Sequence, residues 1–320
     1  MRCGDVRGED SLDVPVAAAQ AFVATHGRVI ERRRLSLLLT GGSPDGVLAA
    51  LDGYRNSDGG YGWGLEPDLR SPESQPVCAM HALEVLAEVA PATTTSAVEL
   101  CDWLSANSLP DGGLPFALPT TNPAGCASFW LDPDVETSSL QMTAQVAANA
   151  LLVARHDAAV RDHPWLARAT AWCLEAIRSR SRPPSAYELL FALRFLDAAD
   201  DAEPEASALL DRLRPFVPDD GVVPVEGGAK GEAIRPLDLA PRANGAARRL
   251  FSDQVINREH ERLAGRQQPD GGWTVDFRSV SPAASLEWRG YVTVDAVAHL
   301  VGANVNRQPD TLNGGSGPSE

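Results

Sequence analysis

Leu263-Ala-Gly-Arg-Gln267-Gln-Pro-Asp270-Gly271-Gly272-Trp273 decides the fold reading. A leucine closes a helix-like stretch, an Asp-Gly turn follows, and an apolar residue stands ten positions after the leucine. Glycine is required because the chain leaves the helix through positive φ. The same offsets recur, without gaps, from Leu51 through Asp58-Gly59-Gly60 to Tyr61 and from Leu104 through Asp111-Gly112-Gly113 to Leu114. They recur again from Leu213 through Asp220-Gly221 to Val223. The four leucines stand 53, 109 and 50 residues apart. The middle gap is close to two periods, so a unit near Trp165–Pro184 has lost its Asp-Gly turn. Such a period means a repeat architecture.

Each unit predicts a helix, the turn, an irregular stretch and a second helix opened by polar or proline start signals. Second helices are expected from Pro76 to about Val89, from Thr137 to about Arg155, and from Arg289-Gly290 to near Val301. Period-2 alternation is confined to Gly221–Val225, so the class is all-α. About six helix pairs fit the 320 residues, stacked as a solenoid or closed into a toroid. Closure is preferred because neither end carries a strongly charged capping helix. Residues 14–304 read as one domain, between polar, disordered segments 1–13 and 305–320. Glu226–Arg242 reads as a long irregular insertion, a candidate lid.

The Leu263–Trp273 stretch resembles the QW motif of the squalene/hopene cyclase and protein prenyltransferase β-subunit superfamily. In the other units Arg55 and Ser108 replace the glutamine, and Tyr61 and Leu114 replace the tryptophan. The resemblance spans roughly residues 40–303. It implies an (α/α)6 toroid with a central apolar cavity, and an isoprenoid substrate or ligand. A protonation-initiated terpene cyclase of this kind works without metal or cofactor. The family's Asp-x-Asp-Asp is absent. Its nearest counterpart is Asp132-Pro-Asp134-Val-Glu136-Thr137, with Asp134 and Glu136 as the expected proton-donor pair. Asp-x-Cys, the prenyltransferase zinc signature, is missing, and Asp200-Asp201 lacks the spacing of a magnesium-binding run.

Carboxylates also precede other second helices, as Glu66-Pro-Asp68-Leu-Arg70 and Glu287-Trp288-Arg289. Acids at such positions cap helix N-termini. Paired near an apolar cavity, they can also supply a proton donor, because burial and a like charge keep one of them protonated. Glu66 and Asp68 are therefore candidates beside Asp132, Asp134 and Glu136. Trp63, Phe129, Trp130, Trp273 and Trp288 fall in loops leading to second helices, where π faces would steady a cation or pack the turn. Arg70 and Arg289 are candidate substrate contacts. Trp103, Trp165 and Trp172 read as core.

The net charge of −15 repels phosphate backbones, so nucleic acid is not an expected partner. No run of 18 apolar residues occurs and the first residues are charged, so neither a membrane span nor a secretory signal is expected. The expected compartment is the cytoplasm. Cys3, Cys78, Cys101, Cys126 and Cys173 are odd in number and lack Cys-x-x-Cys, which argues for buried thiols over disulfides or zinc. The histidines form no metal-binding helix pair, and Gly227–Gly231 does not open a helix as a phosphate loop would. Two further functions are compatible with the residues. One is a non-catalytic toroid holding a lipid or protein. The other is a carbohydrate-active toroid, whose two carboxyls would stand about 5–9 Å apart.

Overall fold

The computed structural model describes residues 16–307. The expected disordered segment 1–13 and residues 308–320 lie outside them, as does Cys3. The described chain is helical apart from one minimal hairpin, β1 (Val223–Pro224) paired antiparallel with β2 (Ala233–Ile234). Its helices are α1 (Val16–His26), α2 (Val29–Thr40), α3 (Pro44–Asp52), α4 (Pro76–Glu88), α5 (Thr95–Ala106) and α6 (Leu140–Ala154). The short α7 (Ala158–Arg161) leads to α8 (Pro164–Arg178), α9 (Ala186–Ala199) and α10 (Ala206–Leu213). The chain ends with α11 (Pro236–Leu239), α12 (Asp253–Ala264) and α13 (Pro282–Arg307).

Local chemistry sets most boundaries. Pro76 opens α4 at a position whose amide would lack a partner anyway. Ser139 caps α6 by accepting from Met142 N, and Ser185 with Glu188 forms a capping box on α9. The helix expected from Arg289 begins seven residues earlier, at Pro282, where Ser281 Oγ accepts from Ala284 N. It runs to Arg307 and so includes the first residues of the expected tail. Only residues 179–185 join α8 to α9, which is the unit without an Asp-Gly turn. The insertion Glu226–Arg242 is not irregular throughout. It contains β2 and α11, and α11 packs against α9 and α12.

The repeat is structural as well as sequential. Asp58 accepts from Gly60 N, Ser74 Oγ and Trp103 Nε1, at 2.9, 2.8 and 3.1 Å. Asp111 accepts from Gly113 N, Ser138 Oγ and Trp172 Nε1, at 3.1, 2.6 and 2.9 Å. Each turn aspartate thus fastens the serine ahead of its own unit's second helix to a tryptophan of the following unit. A Cβ on Gly60 would lie 2.7 Å from the Trp103 indole, and one on Gly113 2.8 Å from that of Trp172. In the last unit Phe22 takes that place, 2.7 Å from a Cβ on Gly272. This explains the second glycine of these three units.

Helix packing follows chain order. α2 packs on α3, α3 on α4, α4 on α6, α6 on α9, α9 on α11, α11 on α12 and α12 on α13. α13 then packs on α1 and α2. A large core joins units one to four, and a smaller one joins Ala19, Phe22 and Val23 of α1 to Trp273, Val294, Val297 and Leu300. Cys78, Cys101, Cys126 and Cys173 are free and buried. Among the described residues no helix is long and apolar enough to cross a membrane.

Candidate functional site

Gly64-Leu-Glu-Pro-Asp-Leu-Arg70 lies inside the protein because Leu65 and Leu69 anchor it in the core. Glu66 and Asp68 are only 4% and 3% exposed. Asp68 accepts from Ser279 Oγ (2.8 Å), Val280 N (2.7 Å) and Trp288 Nε1 (2.8 Å). Its carbonyl accepts from Ala127 N at 2.8 Å. Arg70 pairs with Glu287 at 2.7 Å. Residues 64–70 therefore bind the approach to α13 onto the first repeat.

Next to this segment, side chains of α2, α4 and α13 meet. His81 Nε2 lies 2.9 Å from Glu66 Oε2, and its Nδ1 lies 3.5 Å from Glu84 Oε2. Glu84 accepts from Arg34 at 2.8 Å and from the Tyr291 hydroxyl at 2.8 Å. Arg34 also binds Glu88 at 2.7 Å and sits 5.2 Å above the Tyr291 phenol. His81 meets Trp288 and Tyr291 edge-on, at 6.0 and 5.3 Å, and Phe277 meets Trp288 at 5.2 Å. Beside this cluster a cavity of about 440 Å³ is lined by Glu84, Glu88, Asn149, Leu152, Arg155 and His156.

The charges tune one another. Burial disfavours the His81 cation, but hydrogen bonds to Glu66 and Glu84 overcome it and hold the imidazole up at about 9. Burial likewise opposes ionisation of Glu84, yet Arg34, His81 and Tyr291 hold it down at about 2. One turn beyond Tyr291, Asp295 is raised to about 7 by burial and by the Glu84 charge. A further turn on, His299 is lowered to about 4 by burial, then by Arg194, His260 and Arg248. The His81 imidazolium and the Glu84 carboxylate are thus held in their charged forms, while burial favours the neutral forms of Asp295 and His299.

The other sequence candidates are placed elsewhere. Asp132, Asp134 and Glu136 are exposed where the chain approaches α6. Asp134 accepts from Glu136 N (2.9 Å) and Thr137 N (3.1 Å), and the bonds from Thr137 and Glu136 lower its pKa. Trp63 and Phe129 are 58% and 59% exposed. Trp130 is buried and stacked on Phe116 at 4.9 Å. Trp273 is buried, and its indole donates to Leu263 O at 2.8 Å. Arg289 donates to Asp270 and lies over the Phe22 phenyl at 4.5 Å. The structure therefore brings Glu66, Asp68, Arg70 and Trp288 together, and keeps the 132–136 acids and the Trp273–Arg289 pair apart from them.

Arg34, His81, Glu84, Tyr291, Asp295 and His299 escape a search for loop motifs. Their signal is polar residues spaced three or four apart on otherwise apolar helices. His81, Glu84 and Glu88 on α4 keep that spacing, as do Trp288, Tyr291, Asp295 and His299 on α13. Among the described residues no three His, Cys, Asp or Glu side chains are arranged to hold a metal ion.

Comparison with protein-family models finds no match, and comparison with curated protein sequences finds none either. A solved structure titled "Crystal structure of a protein from Actinoplanes" is similar, at 17% identity and a TM-score of 0.51. The match covers 91% of this chain and 89% of that one. At this identity the likeness concerns the fold alone, and it extends over nearly the whole of both chains.

Proposed function

We propose that the helix pairs close into a six-membered toroid whose interior binds and acts on a polar, hydroxyl-bearing small molecule, as carbohydrate-active helical toroids do. Closure is supported by the run of helix contacts that returns from α13 to α2, with α1 as α13's outer partner. The ligand class rests on one observation, the polar face formed by Arg34, Glu84, Asp295 and His299. A bare polyene would strip water from these groups and return nothing. Hydroxyl groups replace the lost water hydrogen bond for hydrogen bond. Within that face Glu84 and Asp295 carry carboxyls whose surroundings push their pKa values apart: Arg34 and His81 hold that of Glu84 down, while burial and the Glu84 charge raise that of Asp295. Such a divergence separates an ionised carboxylate from a proton donor. Asp295 is thereby the acid that protonates a leaving oxygen, and Glu84 the carboxylate partner.

The isoprenoid cyclase is the second reading, supported by the edge-on aromatic group of His81, Trp288, Tyr291 and Phe277. In it, Asp295 takes over the proton-donor role expected of Asp134 and Glu136. The deciding experiment incubates the purified chain with aryl glycosides and oligosaccharides, and in parallel with squalene and linear prenyl diphosphates, read by mass spectrometry. Cleavage of a hydroxylated substrate, lost in Asp295→Asn, is the expected result. A cyclised hydrocarbon product without any glycoside turnover would overturn the first reading in favour of the second.

A further inference from the structure

We propose that the interior also holds an anion site, built from Arg155, Arg194, Arg242 and Arg248, and that the ligand carries a compact oxyanion, either phosphoryl or carboxylate. The inference rests on the reading above that the interior receives a polar ligand.

The site is assembled on the C-terminal part of α9. Arg194 and Asp197 lie three residues apart on one side of that helix, and Asp201 lies just beyond its C-terminal end. Asp197 is buried and accepts from Ala247 N at 2.7 Å, while Arg242 Nε binds it at 2.8 Å. The loop can clamp this closely only through glycine, because a Cβ on Gly245 would lie 2.3 Å from Asp197 Oδ1. Arg155, at the end of α6, reaches Asp201 at 2.8 Å. Arg194 Nε donates to Asp238 O at 2.6 Å, and Arg248 Nη2 to Pro241 O at 3.3 Å. The Asp238 carboxylate itself is turned to Arg235 N, at 2.8 Å.

These contacts leave the guanidiniums short of acceptors. Each guanidinium has five donors. Arg242 Nη1 and Arg248 Nε are buried and donate to nothing. Burial and the neighbouring Arg242 lower the Arg155 pKa, and burial lowers that of Arg248 in spite of Asp197. Two guanidinium donors here thus lack an acceptor, although Asp197, Asp201, Asp238 and Asp295 stand near the four arginines. Arg194 and Arg248 also act on His299, which ties the arginines to the inner face of α13. Planar guanidinium forks match the paired oxygens of a phosphoryl or carboxylate group.

Calorimetric titration of the full chain with inorganic phosphate, pyrophosphate and acetate, at fixed ionic strength, tests the site. Saturable binding is expected, weakened tenfold or more in Arg248→Gln and Arg155→Gln and unchanged in Arg278→Gln, an exposed control. Preference for phosphate or for acetate identifies the oxyanion. No saturable heat, or equal affinity in every variant, would overturn the proposal. Arg155 is two-fifths exposed, so its variant keeps the test valid if Arg248→Gln does not fold. Phosphate binding without glycoside turnover sinks the hydroxyl-ligand reading alone. Glycoside turnover without anion binding sinks the anion site alone.

Discussion

Glu66-Pro67-Asp68 and Asp132-Pro133-Asp134 share a pattern, a place before a second helix and a proline between two acids, yet they end in opposite environments. The first is buried and bonded to the approach to α13 and to His81. The second is exposed, and Asp134 bonds only to Glu136 and Thr137 of its own turn. The flanking residues make the difference. Leu65 and Leu69 are core residues that draw the first segment inward, whereas Leu131 is half-buried and Val135 is exposed. A buried acid also needs donors. Asp68 obtains them from residues more than 200 positions away, while Asp134 has none beyond its own turn. An acid motif is therefore classed by what reaches it across the fold, not by its own spacing.

The comparison breaks most readily at Asp68. Asp68→Ala strands the donors of Ser279, Val280 and Trp288, and unfilled buried donors cost about 1–3 kcal/mol each. Denaturant titration should show a loss of about 3 kcal/mol or more. The next effect depends on pH. His81 has a folded-state pKa of about 9 against an ordinary 6.5, so its contribution is fully present below pH 6.5 and is lost as pH rises through 9. The loss is on the order of 3 kcal/mol. Stability curves at pH 6 and pH 9.5 should differ accordingly in the native chain, and His81→Gln should flatten the difference. A pH-independent native chain would mean that Glu66 and Glu84 do not hold the imidazolium.

Effects at the second segment should be smaller. Asp134→Ala removes a turn acceptor ahead of α6, and calorimetry should show a melting temperature only slightly below that of the native chain. Glu136→Gln changes an exposed side chain and should leave stability within about 0.5 kcal/mol. A large loss at either position would place these acids in a buried network after all.

The helical class, the four Asp-Gly turns and the missing turn near Trp165–Pro184 were legible because each is local. A leucine, an aspartate and a glycine at fixed offsets are enough to specify them. α4 and α6 matched their start signals to within a few residues, whereas α13 began early because Ser281-Pro282 is a start signal that the Arg289-Gly290 reading passed over. The polar cluster of α2, α4 and α13 was not legible in loop motifs. His81, Glu84, Tyr291 and Asp295 look like isolated polar residues until α2, α4 and α13 are brought together, and that depends on contacts between distant repeats. Trp273 illustrates the reverse case. Its motif is highly recognisable, but the side chain is spent on closing its own turn.

The packing of α1 against α13 sets an order of events during synthesis. Phe22 and Val23 are synthesised well before their partners Val294, Val297 and Leu300, which follow only after nearly the whole of the described chain. Until then the nascent chain carries an uncovered apolar stripe on α1. Contacts of such sequence separation form slowly and leave apolar surface open to wrong partners. A chaperone acting on this protein should therefore hold α1, and release it once α13 has been made.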